Sequence, residues 1–398
     1  MSIPSEFKSH PTPASNGQVT VSTTTPVQSL MRERESNERS SQTTRDVLLR
    51  CLDAIINGVV IAPLVVSYFR GTWNLINTYL LPENFGLSAT VSLVIGLAIT
   101  LPINLFQEGL ASLFAERRVL FNIVYRLYIY IYGFAVVNQF RGVWYLLDHL
   151  TGVNSLSAAL CVGGSLLVFV PLRAVSNIAG SPMITNVDTL EQPFRVTTRF
   201  GVKPGKTWRF VGDAVLTVVV IISTVIITWR GAWQLLDFFI FPSELTRSTW
   251  TSLGIGYAVY ITLFVLESPT SCFVRRMKSF YVGMGVEMVF SFVSGMGSVA
   301  VWRGLWLMYD VYVLPDRPVT SFWVTHGVGI GGLFAMLAGR SALVTGCGVD
   351  GREDGSGVRL GRYLEQVCPK QVQKLISKEH SSPGSASPEN VQFQETRL

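Results

Sequence analysis

Four arginines stand in the same company at four places in the chain. Arg70, Trp73 and Asn77 lie in FRGTWNLINTYLLP, and Arg141, Trp144 and Asp148 in FRGVWYLLDHLTGV. Arg230, Trp233 and Asp237 lie in WRGAWQLLDFFIFP, and Arg303, Trp306 and Asp310 in WRGLWLMYDVYVLP. With Arg as position i, an aromatic residue sits at i−1, Gly at i+1, Trp at i+3 and Asp or Asn at i+7. Pro82, Pro242 and Pro315 follow at i+12 in three copies. A guanidinium is a planar fork that matches a carboxylate, and an indole face attracts a cation. On a helix, steps of three and seven return to one face, so each copy makes a polar-aromatic stripe.

Three chemistries fit that stripe. The tryptophans can anchor helix ends at a membrane interface, since eight of the nine lie in the motifs or at Trp250 and Trp323. Arg of one copy can clamp Asp of the next. Four converging arginines can also make a ligand or ion site. Arg at every copy, never Lys, favours a partner with defined geometry.

The elements that must carry the stripe are membrane helices. Apolar residues make up 48% of the 398 and charged residues only 15%, against a typical quarter. Eight continuous apolar runs are expected to cross a bilayer, near 52–69, 87–106, 119–137, 155–172, 211–228, 249–266, 280–301 and 321–339. Continuity rather than alternation argues for helices over barrel strands. The first 45 residues hold no apolar run, so no cleavable signal peptide is expected.

Charge sets the orientation. Arg117, Arg118, Arg195, Arg199, Lys203, Lys206, Arg275, Arg276 and Lys278 crowd into alternate loops, which the positive-inside rule places in the cytoplasm with both termini. The net charge of +6 therefore needs no nucleic acid to explain it.

Spacing then gives architecture. Arg230 follows Arg70 by the same interval that separates Asp213 from Asp53, and Arg303 follows Arg141 by nearly the same. The expected fold is an all-α polytopic membrane protein. Its eight transmembrane helices form two parallel-repeat four-helix halves, each of two helical hairpins. The expected divisions are a disordered cytoplasmic tail over 1–45, a first half over 46–180 and a basic cytoplasmic linker over 181–208. A second half covers 209–345, and a cytoplasmic tail 346–398.

Further candidates lie outside the motif. Arg126 and Glu287 fall at matching depth in equivalent spans, which makes them intramembrane charges close enough to the cytoplasm to snorkel or pair with each other. Asp53 and Asp213 sit where they favour a helix N-terminus. Gly327, Gly331, Ala335 and Gly339 recur every fourth residue, a smooth face for helix packing. The GVGIGG run there is no dinucleotide loop, because no strand precedes it. His149 and His326 have no metal-spaced companion, and no nucleophile elbow or phosphate loop occurs. No catalytic residue, metal or cofactor is expected. The segment Glu395–Leu398 places Thr396 and Leu398 as a PDZ domain would capture them.

The repeated [FW]RGxWxLx[DN] after alternate spans, over roughly 45–346, resembles the Fuseless family of invertebrate membrane proteins. Asn77 in copy one and the missing Pro in copy two depart from the pattern. The resemblance implies a multi-pass protein of the presynaptic plasma membrane that organises release sites and calcium channels, with a channel complex and a PDZ scaffold as partners. The competing reading is a secondary transporter or channel for a small, anionic solute.

Overall fold

The apolar runs fold as helices, the state in which a hydrophobic segment satisfies its own backbone. A computed structural model describes residues 47–114, 118–188, 194–205, 207–343 and 346–367; Thr396 and Leu398 lie outside the described residues. Eight long helices occur among them: α1 (Val47–Tyr79), α2 (Phe85–Leu105), α3 (Arg118–Thr151), α4 (Ser155–Phe169), α5 (Trp208–Phe239), α6 (Leu245–Arg276), α7 (Phe280–Tyr312) and α8 (Pro318–Ala335). No strand occurs among the described residues beyond an isolated bridge between Thr197 and Gly346. By length and composition five helices, α1, α2, α5, α6 and α7, can cross a membrane, and α4 is a shorter apolar helix of 15 residues. α4 stops at Phe169, short of the expected run 155–172, and Pro171 lies past its end.

Each motif ends its helix the same way. The residue at i+11 adopts a left-handed conformation: Leu81 at φ 48°, Gly152 at 71°, Phe241 at 43° and Leu314 at 50°. Pro follows in three copies, so the chain can neither continue the helix nor relax into it. Copy two lacks that Pro and has Gly in the left-handed place, where no Cβ resists the turn. The turned chain then enters the next helix under an Asn cap, Asn84 for α2 and Asn154 for α4.

The helices joined by these turns are not the ones that pack. α3 lies along α2, α5 along α4, α7 along α6, and α1 along α8. The expected hairpins therefore open, and each odd helix docks on the even helix before it. The motif glycine explains why. A Cβ on Gly71 would fall 2.3 Å from the His326 nitrogen of α8, on Gly142 2.5 Å from the Leu93 nitrogen of α2, and on Gly231 2.5 Å from the Ala158 oxygen of α4. Gly304 approaches Leu253 of α6 as closely. Backbone against backbone leaves room for hydrogen alone.

The small face expected on α8 is out of phase. Gly327 and Gly331 have open space where a Cβ would go, and Ala335 is exposed, while Gly339 is buried in a short helical turn beyond α8. The packing face is Ser321, Thr325, Gly329 and Leu333, all buried. A period of four cannot by itself reveal which of its four phases is inside.

Chain outside the helices closes one end of the bundle. Asp350 accepts from the Val175 and Ser176 N–H groups at 2.6 and 3.0 Å and donates its own N–H to the Arg173 carbonyl. Asp188 does the counterpart, accepting from the Arg340 N–H and donating to the Leu337 carbonyl. Each segment caps the other's short helical turn, Val175–Ile178 and Gly339–Ala342. Parts of the expected linker and tail, 181–188 and 346–367, are thus built into the protein.

Gly329→Leu is expected to destabilise the protein by about 3 kcal/mol or more, because its Cβ would meet the Tyr68 backbone at 2.4 Å. Gly331→Leu should stay within about 0.5 kcal/mol of the parent. Thermal melts of both variants in one detergent check this; equal melting would place the contact elsewhere.

Candidate functional site

The arginine side chains extend from the odd helices to the even helix and the acid before them. Arg141 Nε donates to Asn77 Oδ1 at 2.7 Å, Arg230 to Asp148 Oδ1 at 2.8 Å, and Arg303 to Asp237 Oδ1 at 2.7 Å. Arg70 donates to Asp310 Oδ1 at 2.9 Å, which joins the first copy to the fourth and closes the cycle. All four arginines are buried, Arg230 completely.

The rest of each fork meets a pair of small polar residues that sequence reasoning missed. Arg141 donates to Ser88 and Ser92 of α2, Arg230 to Ser157 and Cys161 of α4, Arg303 to Ser248 and Ser252 of α6, and Arg70 to Ser321 and Thr325 of α8. Ser88 and Ser248 also donate to the carbonyls of Leu80 and Ile240, the residues just past the ends of the helices before them. The signal was available as Ser, then Ser, Thr or Cys four residues on, repeated in every even helix. In hydrocarbon such hydroxyls have few alternatives, so the bond holds the pair of helices in register.

The motif aromatics face each other rather than lipid. Trp73, Trp144, Trp233 and Trp306 form a closed tier, each ring edge-on to the next, with neighbouring centroids 5.7, 5.8, 5.7 and 6.0 Å apart. One helical turn away the residues at i−1 repeat the arrangement: Phe69 to Phe140 5.8 Å, Phe140 to Trp229 6.4 Å, Trp229 to Trp302 5.0 Å and Trp302 to Phe69 4.9 Å. Edge-to-face packing matches a positive rim to a negative face, worth about 0.5–1.5 kcal/mol per pair beyond burial. Interfacial anchoring is thus not the role of the motif tryptophans; Trp250 and Trp323, both exposed, fit it.

Beside the inner tier lies a cavity of about 140 Å³, walled by Phe69, Trp229 and Trp302 and by Asn177, Ser181 and Cys347 of the closing segments. The two indoles are tied to those segments, Trp229 Nε1 donating to the Ile178 carbonyl and Trp302 Nε1 to that of Ser181. Burial pushes the Cys347 thiol up to about 11, which keeps it neutral.

The other expected charges do not meet each other. Arg126 pairs with Asp188 at 2.9 Å. Burial pushes the Asp188 carboxyl up, opposed by the Arg340 N–H and the Arg126 charge. Glu287 accepts instead from the N–H groups of Gly351 and Arg352. Asp53 accepts from the Leu364 N–H, and Asp213 from Thr198, Phe200 and Val202. Each of these acids anchors chain from outside the helices, a role that helix position alone does not reveal. Among the described residues no cluster of three or more His, Cys, Asp or Glu could hold a metal ion.

The family whose model matches this chain is Fuseless, over residues 48–343, which takes in all four motif copies. The chain belongs to the Fuseless family. No curated relative and no solved structure matches it. The Fuseless match stops before Asp350, so the closing segment 346–367 lies beyond the matched part.

Arg230→Lys is expected to cost about 2–3 kcal/mol, since an ammonium cannot reach Asp148, Ser157 and the Gly152 carbonyl together. A lowered melting temperature and reduced surface delivery would register the loss. Parental values of both would show that the fork geometry carries no stability.

Proposed function

We propose that this Fuseless protein is a non-catalytic membrane organiser of the presynaptic plasma membrane that holds release-site components and calcium channels in place. The observation that carries the reading is the filled axis: two closed aromatic tiers occupy the space between the odd helices, where a transport path through the bundle would run. Family membership supports it. In this reading all eight helices cross the bilayer as two parallel-repeat halves. At 1.5 Å per residue the 18 residues of α8 cover about 27 Å and the 15 of α4 about 23 Å, against a hydrocarbon thickness of about 30 Å, a mismatch that local thinning accommodates. The partner-facing part of the proposal includes a PDZ scaffold at Thr396 and Leu398.

The orientation proposed is both termini in the cytoplasm. Cysteines introduced at Glu83 or Asp316 should react with an impermeant thiol reagent applied outside intact cells, and one at Lys203 should not. The reverse pattern would invert the topology.

Function is tested by removal and by reconstitution. Neurons lacking the protein should show dispersed presynaptic calcium channels and weakened evoked release, restored by the full chain. Purified protein in liposomes should leave halide and organic-anion flux at the level of empty vesicles. Saturable flux that Arg230→Lys abolishes would instead assign the protein as a transporter.

A further inference from the structure

The turn from α6 to α7 frames a cavity of about 290 Å³ together with the closing segment at Gly351, Arg352 and Glu353. Its apolar lining is Val274, Met277, Phe280 and Met284. Its charged lining is Arg275, Lys278 and Arg352 against Glu353, a net charge of +2. All four charged side chains are exposed, and among the described residues none of them makes an ion pair. Asp354, next along the chain, lies outside the lining and accepts from the Ser356 N–H at 2.9 Å.

The segment that carries Arg352 is held on both sides. Glu287, buried in α7, accepts from the Gly351 and Arg352 N–H groups at 2.8 and 2.9 Å. Ser271 of α6 donates to the Gly355 carbonyl at 3.0 Å. Arg173 stacks over Phe280, 5.0 Å from the ring centroid, and sets that ring in the lining. Gly283 supplies space, since a Cβ there would meet nothing closer than 3.6 Å. A helix C-terminus favours cations in its last turn, which accounts for Arg275. Lys278 and Arg352 stand on no helix, and no carboxylate pairs with either.

We propose that this pocket binds the headgroup of a lipid that carries a phosphomonoester. Such a group bears about −1.5 to −2 near neutral pH, which matches the charge of the lining. A phosphodiester bears a single negative charge and leaves part of it unmet. The forks of Arg275 and Arg352 suit two phosphate oxygens each, and Lys278 adds a point charge. The acyl chains belong on the apolar surface beside the pocket, where Phe273, Tyr281 and Val282 are exposed. α6 and α7, which carry that surface, are both long and apolar enough to cross a membrane. A phosphorylated inositol lipid and phosphatidic acid share the required group; the inositol ring adds hydroxyls from which Glu353 can accept. The site is independent of the organiser reading, and the orientation of the termini decides only which leaflet supplies the lipid.

The test uses the full chain in neutral detergent, with bound lipid counted on the intact complex by native mass spectrometry. The probes are dioctanoyl forms of phosphatidylinositol 4-phosphate, phosphatidic acid and phosphatidylinositol, and soluble inositol bisphosphate. At least one of the two monoester lipids should bind one per chain, and the tighter of them names the headgroup. Phosphatidylinositol, a diester alone, and the soluble bisphosphate should each bind about tenfold more weakly, and Lys278→Gln and Arg352→Gln should each cost the monoester lipid about tenfold, the size of one charge-assisted hydrogen bond. Lys203→Gln, which removes the same charge from another loop, should leave binding unchanged. Gly283→Leu, which fills the pocket and removes no charge, should lower binding as the charge variants do. Binding of neither monoester lipid, or equal binding of phosphatidylinositol or the soluble bisphosphate, overturns the proposal. Parental binding by the Lys278, Arg352 or Gly283 variants, or an equal loss in Lys203→Gln, overturns it too.

Discussion

Everything else in this fold depends on an arginine reaching across to the pair of helices before it. Between membrane helices the hydrophobic effect gives no preference for one neighbour over another, because lipid is as apolar as leucine. Register must come from polar bonds and close contact. Arg230 illustrates the sufficiency of a guanidinium: it meets a carboxylate, a hydroxyl, a thiol and a backbone carbonyl at once. A point charge on a flexible stem could satisfy one or two of these. The glycine after each arginine belongs to the same device, since the fork reaches only if the two backbones nearly touch.

Because Arg70 grips Asp310, the series of grips has no free end. Closure brings four equivalent stripes toward one axis, where their aromatic residues fill the space as two tiers. The cycle is not uniform in charge. Arg141 meets the neutral Asn77 where its three counterparts meet carboxylates, and the Ser88 carbonyl and the face of Tyr145, 5.0 Å from its guanidinium, supply the remaining negative potential. The Tyr145 hydroxyl in turn accepts from Trp73 and Asn77, so copy one's departure from Asp is absorbed locally.

What was legible in the sequence was the odd helices. Arg, Trp and Asp are rare enough in apolar runs that their spacing stands out, and it located the stripes, the helix ends and the membrane character. The even helices were opaque for the opposite reason. Ser, Thr, Gly and Ala are common there, so the choice of Gly327 and Gly331 over Ser321, Thr325 and Gly329 rested on period without phase. Phase is set by the arginine that arrives from another helix, and no local pattern contains it. The same holds for Arg126 and Glu287: equivalent depth suggested mutual pairing, yet each is claimed by a segment distant in sequence.

Those segments give the bundle a second fastening at its other end. Asp188 and Asp350 are separated by the same interval as Arg141 and Arg303, and each caps the turn that follows the opposite half's last helix. The odd helices are gripped at one end by the arginine cycle and at the other by Asp53, Arg126, Asp213 and Glu287, one from each odd helix. α1 and α5, equivalent helices of the two halves, each carry a π-helical segment at the matching place, Asn57–Ile61 and Leu216–Ile221. Asn57 then turns the irregularity to use, bridging Thr185 and the Gly361 carbonyl from the widened turn.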